Sequence, residues 1–212
     1  MRLNKIQVFC AMVAVLAISC ATAPPAVDDT TPKPETEMAK ATETRAYIKE
    51  NGLEAYAPDS FKKAEDGFAA AEEVYGTDNA KAKELLDTAL PLYEQTVSDG
   101  FAKKISEKML AADTSKAKAD EEKAKVAASE SYAAAEAAYA KAKADGDAGR
   151  NEEAVASYLE AAKKYEEAAT QAAAARVKAE TALDSADGSI QSTTDRMQAI
   201  DTEMQTEEGG TK

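Results

Sequence analysis

The side chains with the most chemical potential in this chain are its carboxylates and two thiols. Acids stand in pairs at Glu121-Glu122, Glu152-Glu153 and Glu166-Glu167, and they alternate at Asp145 and Asp147 before Gly149. Two carboxylates on one reacting centre could act as general acid and base, and alternating acids before a glycine could open a calcium loop. Neither arrangement completes itself. Neighbouring helix residues point about 100° apart, so adjacent acids do not converge on one water or metal. Lys163 and Lys164 precede Glu166 and Glu167, as on a solvated helix face. No Glu follows Asp145 where a calcium loop would need it, so that stretch is expected to be a hairpin turn. The chain has no His, which removes imidazole-activated nucleophiles, His metal sites and His pH switches. Phosphate loops, dinucleotide-binding glycine patterns and nucleophile elbows are also missing. The expectation is a protein without catalytic site, cofactor or metal.

Of the thiols, Cys20 is the informative one. Met1 to Lys5 is a short basic start, and Ile6 to Ile18 is an apolar run broken only by Gln7. Such a run is short for a membrane span, which needs about 20 residues, and suits the apolar region of a secretory signal. It ends Leu16-Ala17-Ile18-Ser19-Cys20, which resembles the lipobox of bacterial lipoproteins, with Ala17 where Leu is commoner. The resemblance implies removal of residues 1–19, Cys10 among them, and a lipid on Cys20 that holds the chain on a membrane. A plain signal peptide and an uncleaved anchor are the alternatives. Ala21, next to the lipid site, favours the outer membrane on its periplasmic side. Residues 20–44 contain Pro24, Pro25, Pro32 and Pro34 among Thr and Ala, a composition expected to form a disordered tether. Without residues 1–19 the chain keeps 24 basic residues against 39 acidic ones, a net charge of −15. That charge excludes a nucleic-acid partner, which needs clustered Lys and Arg, and it keeps the body away from an anionic membrane surface.

The elements that carry these residues are expected to be helices. Alanine fills 49 of 212 positions, accompanied by Glu and Lys, all strong helix formers. A first helix is expected over Glu37 to Glu50, stopped at Asn51-Gly52, with Asp59 as cap of the next. Phe61, Ala64, Phe68, Ala71 and Tyr75 then recur at spacings of three and four, one apolar seam on a helix. After Gly76-Thr77-Asp78 a return helix carries Ala82, Leu86, Ala89, Tyr93 and Val97, with Pro91 expected to kink it. About 71 residues later the pattern recurs. Ser131-Tyr132, Tyr139 and Ala142 answer Ser60-Phe61, Phe68 and Ala71, and Ala154, Tyr158, Ala161 and Tyr165 answer the return helix. The fold expected is all-α: an elongated, coiled-coil-like bundle of antiparallel hairpins in two internal copies, 45–112 and 113–186. Breaks are expected at Gly100 and Asp113-Thr114-Ser115. Tyr56, Phe61, Phe68, Tyr75, Tyr93, Tyr132, Tyr139, Tyr158 and Tyr165 are the expected structural seam.

The second return helix has the strictest pattern. From Ala154 to Ala186 small and aromatic residues alternate spacings of four and three, a 3.5-residue repeat. Two readings stand: ordinary antiparallel packing, or an exposed seam that recruits a partner helix. An acidic tail, 187–212, carries Ile190, Met197 and Met204 seven apart with Ile200 between them, a stripe that either folds back on the body or docks a partner.

Ala55-Tyr56-Ala57-Pro58, followed by Ala64, Ala71, Ala82 and Ala89, resembles a family of uncharacterised alanine-rich helical envelope lipoproteins. The likeness covers roughly residues 45 to 104, echoed at 125 to 178 without the A-Y-A-P element. It implies a tethered periplasmic protein with no activity assigned to the domain. A weaker similarity links Gly149, Ala154, Tyr158 and Ala161 to the second helix of tetratricopeptide repeats, although copies about 71 residues apart do not fit a period of about 34. Together these features suggest a noncatalytic scaffold or adaptor with an envelope protein as partner. The alternative is a transport-accessory or ligand-delivery lipoprotein with a cleft lined by Phe61, Phe68, Tyr132 and Tyr139.

Overall fold

A computed structural model describes residues 30–209, with side chains through Met204, so the expected signal segment, Cys20 and the first part of the tether lie outside the described residues. The regular structure described is entirely helical: α1 (Glu35–Glu50), α2 (Pro58–Val74), α3 (Asn79–Glu121), α4 (Ala124–Ala127), α5 (Ser129–Asp147) and α6 (Asn151–Gly209). A single 3-10 turn, Leu53–Ala55, lies between α1 and α2. The all-α expectation holds.

Two long helices organise the molecule. The N-terminal half of α3 receives α2 antiparallel, tied by Thr96 Oγ1 to Ser60 Oγ at 3.0 Å and Tyr93 to Glu65 at 2.6 Å. It receives α1 parallel, from the Lys83–Glu37 pair at one end to Lys104 Nζ on the Asn51 carbonyl at the other, both 2.6 Å. The first part of α6 does the same for its own neighbours. It takes α5 antiparallel, with Ser131 on Gln171 and Lys141 on Ser157, both at 2.9 Å. It takes the C-terminal half of α3 parallel, from Ser115 on Glu166 at 3.3 Å to Arg176 beside Glu122 at 3.4 Å.

Each half has its core. Ile48, Leu53, Leu86, Tyr93 and Phe101 are fully buried in the first, and Val155 of α6 joins them. Alanines dominate the second, around Tyr132, Tyr158 and Tyr165, and Ile105 packs against both. At about 0.8 kcal/mol per buried CH₂, each Ala forgoes roughly 2 kcal/mol of what a Leu would bury, so the rings supply much of the second core's apolar contact.

Several expectations change. Helix α1 begins at Glu35, so residues 35–44 are not tether; Ala41 there is fully buried, a contact that unstructured chain could not hold. Asp59 does not cap α2: the helix starts at Pro58, whose fixed φ and missing N–H suit a first turn, and Asp59 lies one residue inside. Pro91 does not interrupt α3, and it is exposed, so the carbonyl it cannot pair is left to water. Gly100 and Asp113-Thr114-Ser115 do not break it either. Gly100 is a close approach: a Cβ there would come within 2.9 Å of Leu53 Cβ. Ser115 is buried in the face that meets α6. The boundary expected at 112/113 therefore falls inside one continuous helix, and the expected hairpins are three-helix groups joined by α3. The real turn comes at Lys123, which adopts the left-handed conformation (φ 59°) that Gly52 adopts (φ 61°) after α1. No helix among the described residues is long and apolar enough to cross a membrane.

Candidate interaction surface

The seam aromatics divide between the two cores. Phe61 and Phe68 each pack on Tyr93, with centroids 6.2 and 6.3 Å away. Tyr132 meets Tyr165 edge-on at 5.5 Å and Tyr139 meets Tyr158 edge-on at 5.2 Å. Phe61, Phe68, Tyr132 and Tyr139 thus belong to separate clusters rather than to one shared cleft. Tyr56 and Tyr75 are half-buried at helix ends. Tyr56 bonds Glu107, while Tyr75 lies just past α2 with Lys33 Nζ 5.7 Å from its ring.

Beneath the rings sit two charge clusters of one design. In the first, Arg45 grips both oxygens of Glu65, at 2.6 and 2.8 Å, and the Tyr93 hydroxyl donates to the same carboxylate. In the second, Lys116 pairs with Glu136, and the Tyr165 hydroxyl donates to Glu136 at 2.5 Å. Lys116 also bonds the Tyr132 hydroxyl, which donates to Asp120. Hydrogen bonds from Lys116 and Tyr165 hold the Glu136 carboxyl below the usual range. Burial pushes Glu65 up, but the bonds from Arg45 and Tyr93 outweigh it and leave this carboxyl low as well. Desolvation, and then the bond to a carboxylate, raises the Tyr93 and Tyr165 hydroxyls. These groups are therefore locked in their ordinary charge states, an arrangement suited to rigidity rather than proton transfer.

Arg45 and Lys116 are not among the expected seam residues, although their spacing carries the signal: they stand about 71 residues apart, like Glu65 and Glu136, and each precedes its turn in the same way. Ala41 and Ala112, Ile48 and Ala119, and Leu53 and Ala124 have the same separation, and all are fully buried. The alternating acids also find their explanation. Asp145 is buried between Lys141 at 2.9 Å and Arg150 at 2.5 Å, which hold its carboxyl low and close the turn after α5. Among the described residues no group of three acidic, His or Cys side chains could hold a metal ion.

The alanine seam of α6 divides in two. Ala154, Tyr158, Ala161, Tyr165, Ala168 and Ala172 are buried, so ordinary packing accounts for this stretch. From residue 174 through 204 every residue is exposed, Ala175, Ala179, Ala182 and Ala186 included. Helix α3 ends at Glu121, and α6 runs on beyond it. Through residue 209 the expected tail is thus not folded back: it continues α6 without a break at 187. Leu183, Ile190, Met197 and Met204 are 65%, 64%, 65% and 56% exposed, an apolar row out of keeping with a solvated helix. No family model matches this chain, and neither do the curated proteins or the solved structures.

Proposed function

We propose that the chain is a noncatalytic, lipid-anchored helical protein of the bacterial cell envelope, held by Cys20 on the periplasmic side of the outer membrane and serving as a scaffold or adaptor. The observation that carries the reading is the projecting part of α6, a long helix offering a row of large apolar side chains to a partner. The lipobox-like Leu16 to Cys20 and the Pro-rich stretch after it support the anchor. The clamped carboxylates of the two charge clusters support a structural rather than catalytic body. The equivalent clusters and matching buried positions support two copies of a three-helix unit that share α3. Its acidic surface agrees with a body standing off the membrane on its tether.

Two measurements test this. Cys20→Ser is expected to release the protein from membranes or leave the precursor uncleaved; a variant that partitions into detergent at the mature mass, like wild type, refutes the anchor. Crosslinking in cells followed by affinity recovery is expected to bring down an envelope protein through residues 174–204; recovery unchanged when Ile190 and Met197 are replaced by Asp refutes the adaptor surface.

A further inference from the structure

The exposed row on α6 has the spacing of one strand of a coiled coil. Leu183, Ile190, Met197 and Met204 lie seven apart. Ala179, Ala186, Thr193 and Ile200 lie four residues before each of them, giving a four-three alternation sustained for about three and a half heptads, long enough for the pattern to carry weight. Every one of these residues is exposed, and the only glycine of the stretch, Gly188, falls on the opposite face with open space around it. A helix this long with no packed face is marginal alone, and Asp184-Ser185-Ala186-Asp187-Gly188-Ser189 is a run dominated by weak helix formers.

The charges beside the row select the partner. In the heptad frame set by Leu183 at position a, Arg196 is at g and Asp201 is the e position that follows five residues later. When two copies run parallel, g of one strand faces that e of the other, so Arg196 meets the second copy's Asp201 on both sides of the seam. Among the described residues neither Arg196 nor Asp201 makes an ion pair within its own chain. In the other parallel g-to-e pairs with described side chains, Ala175 faces Glu180, Ala182 faces Asp187 and Ser189 faces Thr194, none of them like-charged. Running the copies antiparallel would set Asp187 against Asp201, two acids.

We infer that the projecting part of α6 pairs in parallel with the same segment of a second copy of this chain, through the row Leu183, Ile190, Met197 and Met204 and a reciprocal Arg196–Asp201 bridge. This deepens the scaffold reading, on whose interaction surface it rests, and it is independent of a lipid on Cys20. Pairing by the test below, with no envelope protein recovered from cells carrying the wild-type chain, would remove the adaptor and leave the self-paired rod.

The test uses the full chain carrying Cys10→Ser and Cys20→Ser, in mild detergent. Parallel pairing places both copies of residue 186 within disulfide reach, about 4.4–6.8 Å between Cα atoms. Ala186→Cys should therefore give a covalent dimer on oxidation, whereas Asp195→Cys, on the outer face, should not. Arg196→Asp alone or Asp201→Arg alone sets like charges together and should reduce the dimer about tenfold, and mixing the two variants should restore it. A chain that stays monomeric at high micromolar concentration, crosslinking no stronger at 186 than at 195, or a mixture no better than its components would each overturn the pairing.

Discussion

At the scale of the residue, the two charge clusters fix where sensitivity to substitution should concentrate. Tyr165 is fully buried, packs on Tyr132 and donates to Glu136. Tyr165→Ala removes ring and hydrogen bond together and should cost about 3–5 kcal/mol, and Tyr165→Phe, which strands only the hydrogen bond to a charged partner, about 1.5–3 kcal/mol. Thermal melts should rank Ala below Phe below wild type, with Glu167→Ala, on the exposed side of α6, close to wild type. The same carboxylates give the fold an acid dependence of known sign. Glu136 and Glu65 both lie below their ordinary value of 4.5 in the folded chain, so the folded state resists protonation more than the unfolded one. Their stabilisation is complete above that value and fades as pH falls through it toward the lowered one. Melting temperature should therefore drop between about pH 5 and 3, and Glu136→Gln should flatten that slope while lowering the plateau. A slope unchanged in the Gln variant would remove Glu136 as its source.

At the scale of the element, the turns were harder to read than the helices. Alanine spacing announces a buried face directly, as from Ala154 to Ala172, because the 3.6-residue period is written in residue type. Gly100 and Asp113-Thr114-Ser115 misled because glycine and cap-forming residues signal breaks only where nothing else specifies the helix. Here Leu53 occupies the space a side chain at 100 would fill, and α6 covers Ser115. The actual turn at Lys123 is hidden because a lysine seldom takes positive φ, whereas Gly52, at the turn with the same left-handed φ after α1, is visible at once. That contrast is testable. A side chain in the left-handed region costs about 1–2 kcal/mol, so Gly52→Ala should lower stability by about that amount. Lys123→Gly should relieve it and raise stability by up to about 1 kcal/mol, a sign opposite to that of Gly introduced elsewhere in a helix. Chemical denaturation of the two variants checks both directions, and a destabilised Lys123→Gly would contradict the equivalence of the turns.

At the scale of the whole molecule, composition alone announced an all-α chain, yet the unpartnered reach of α6 could not be read from it. The four-three pattern is unbroken from Ala154 to Ala186, so nothing in residue type marks Ala173 as the place where neighbours end; the length of α3 decides that. Hydrogen exchange should find the same border. Amides from 158 to 172 should be protected at any protein concentration, whereas protection from 179 to 204 should rise with concentration as copies pair. Protection there that ignored concentration would mean that the helix is held within one chain. The uninterrupted α3 has a further effect, on angles. Phe101 closes the first core and Ala112 opens the second, and the interval of eleven residues is close to three turns, so both cores fall on nearly the same azimuth of the rod. Each added residue would rotate one half about the other by about 100°, and lengths that preserve the phase come in steps of about seven or eleven. The helix is a spacer with a built-in dial: between Phe101 and Ala112, insertions of the wrong length would turn the second half, with the α6 projection it carries, to face another direction, and would draw Val155 of α6 out of the first core.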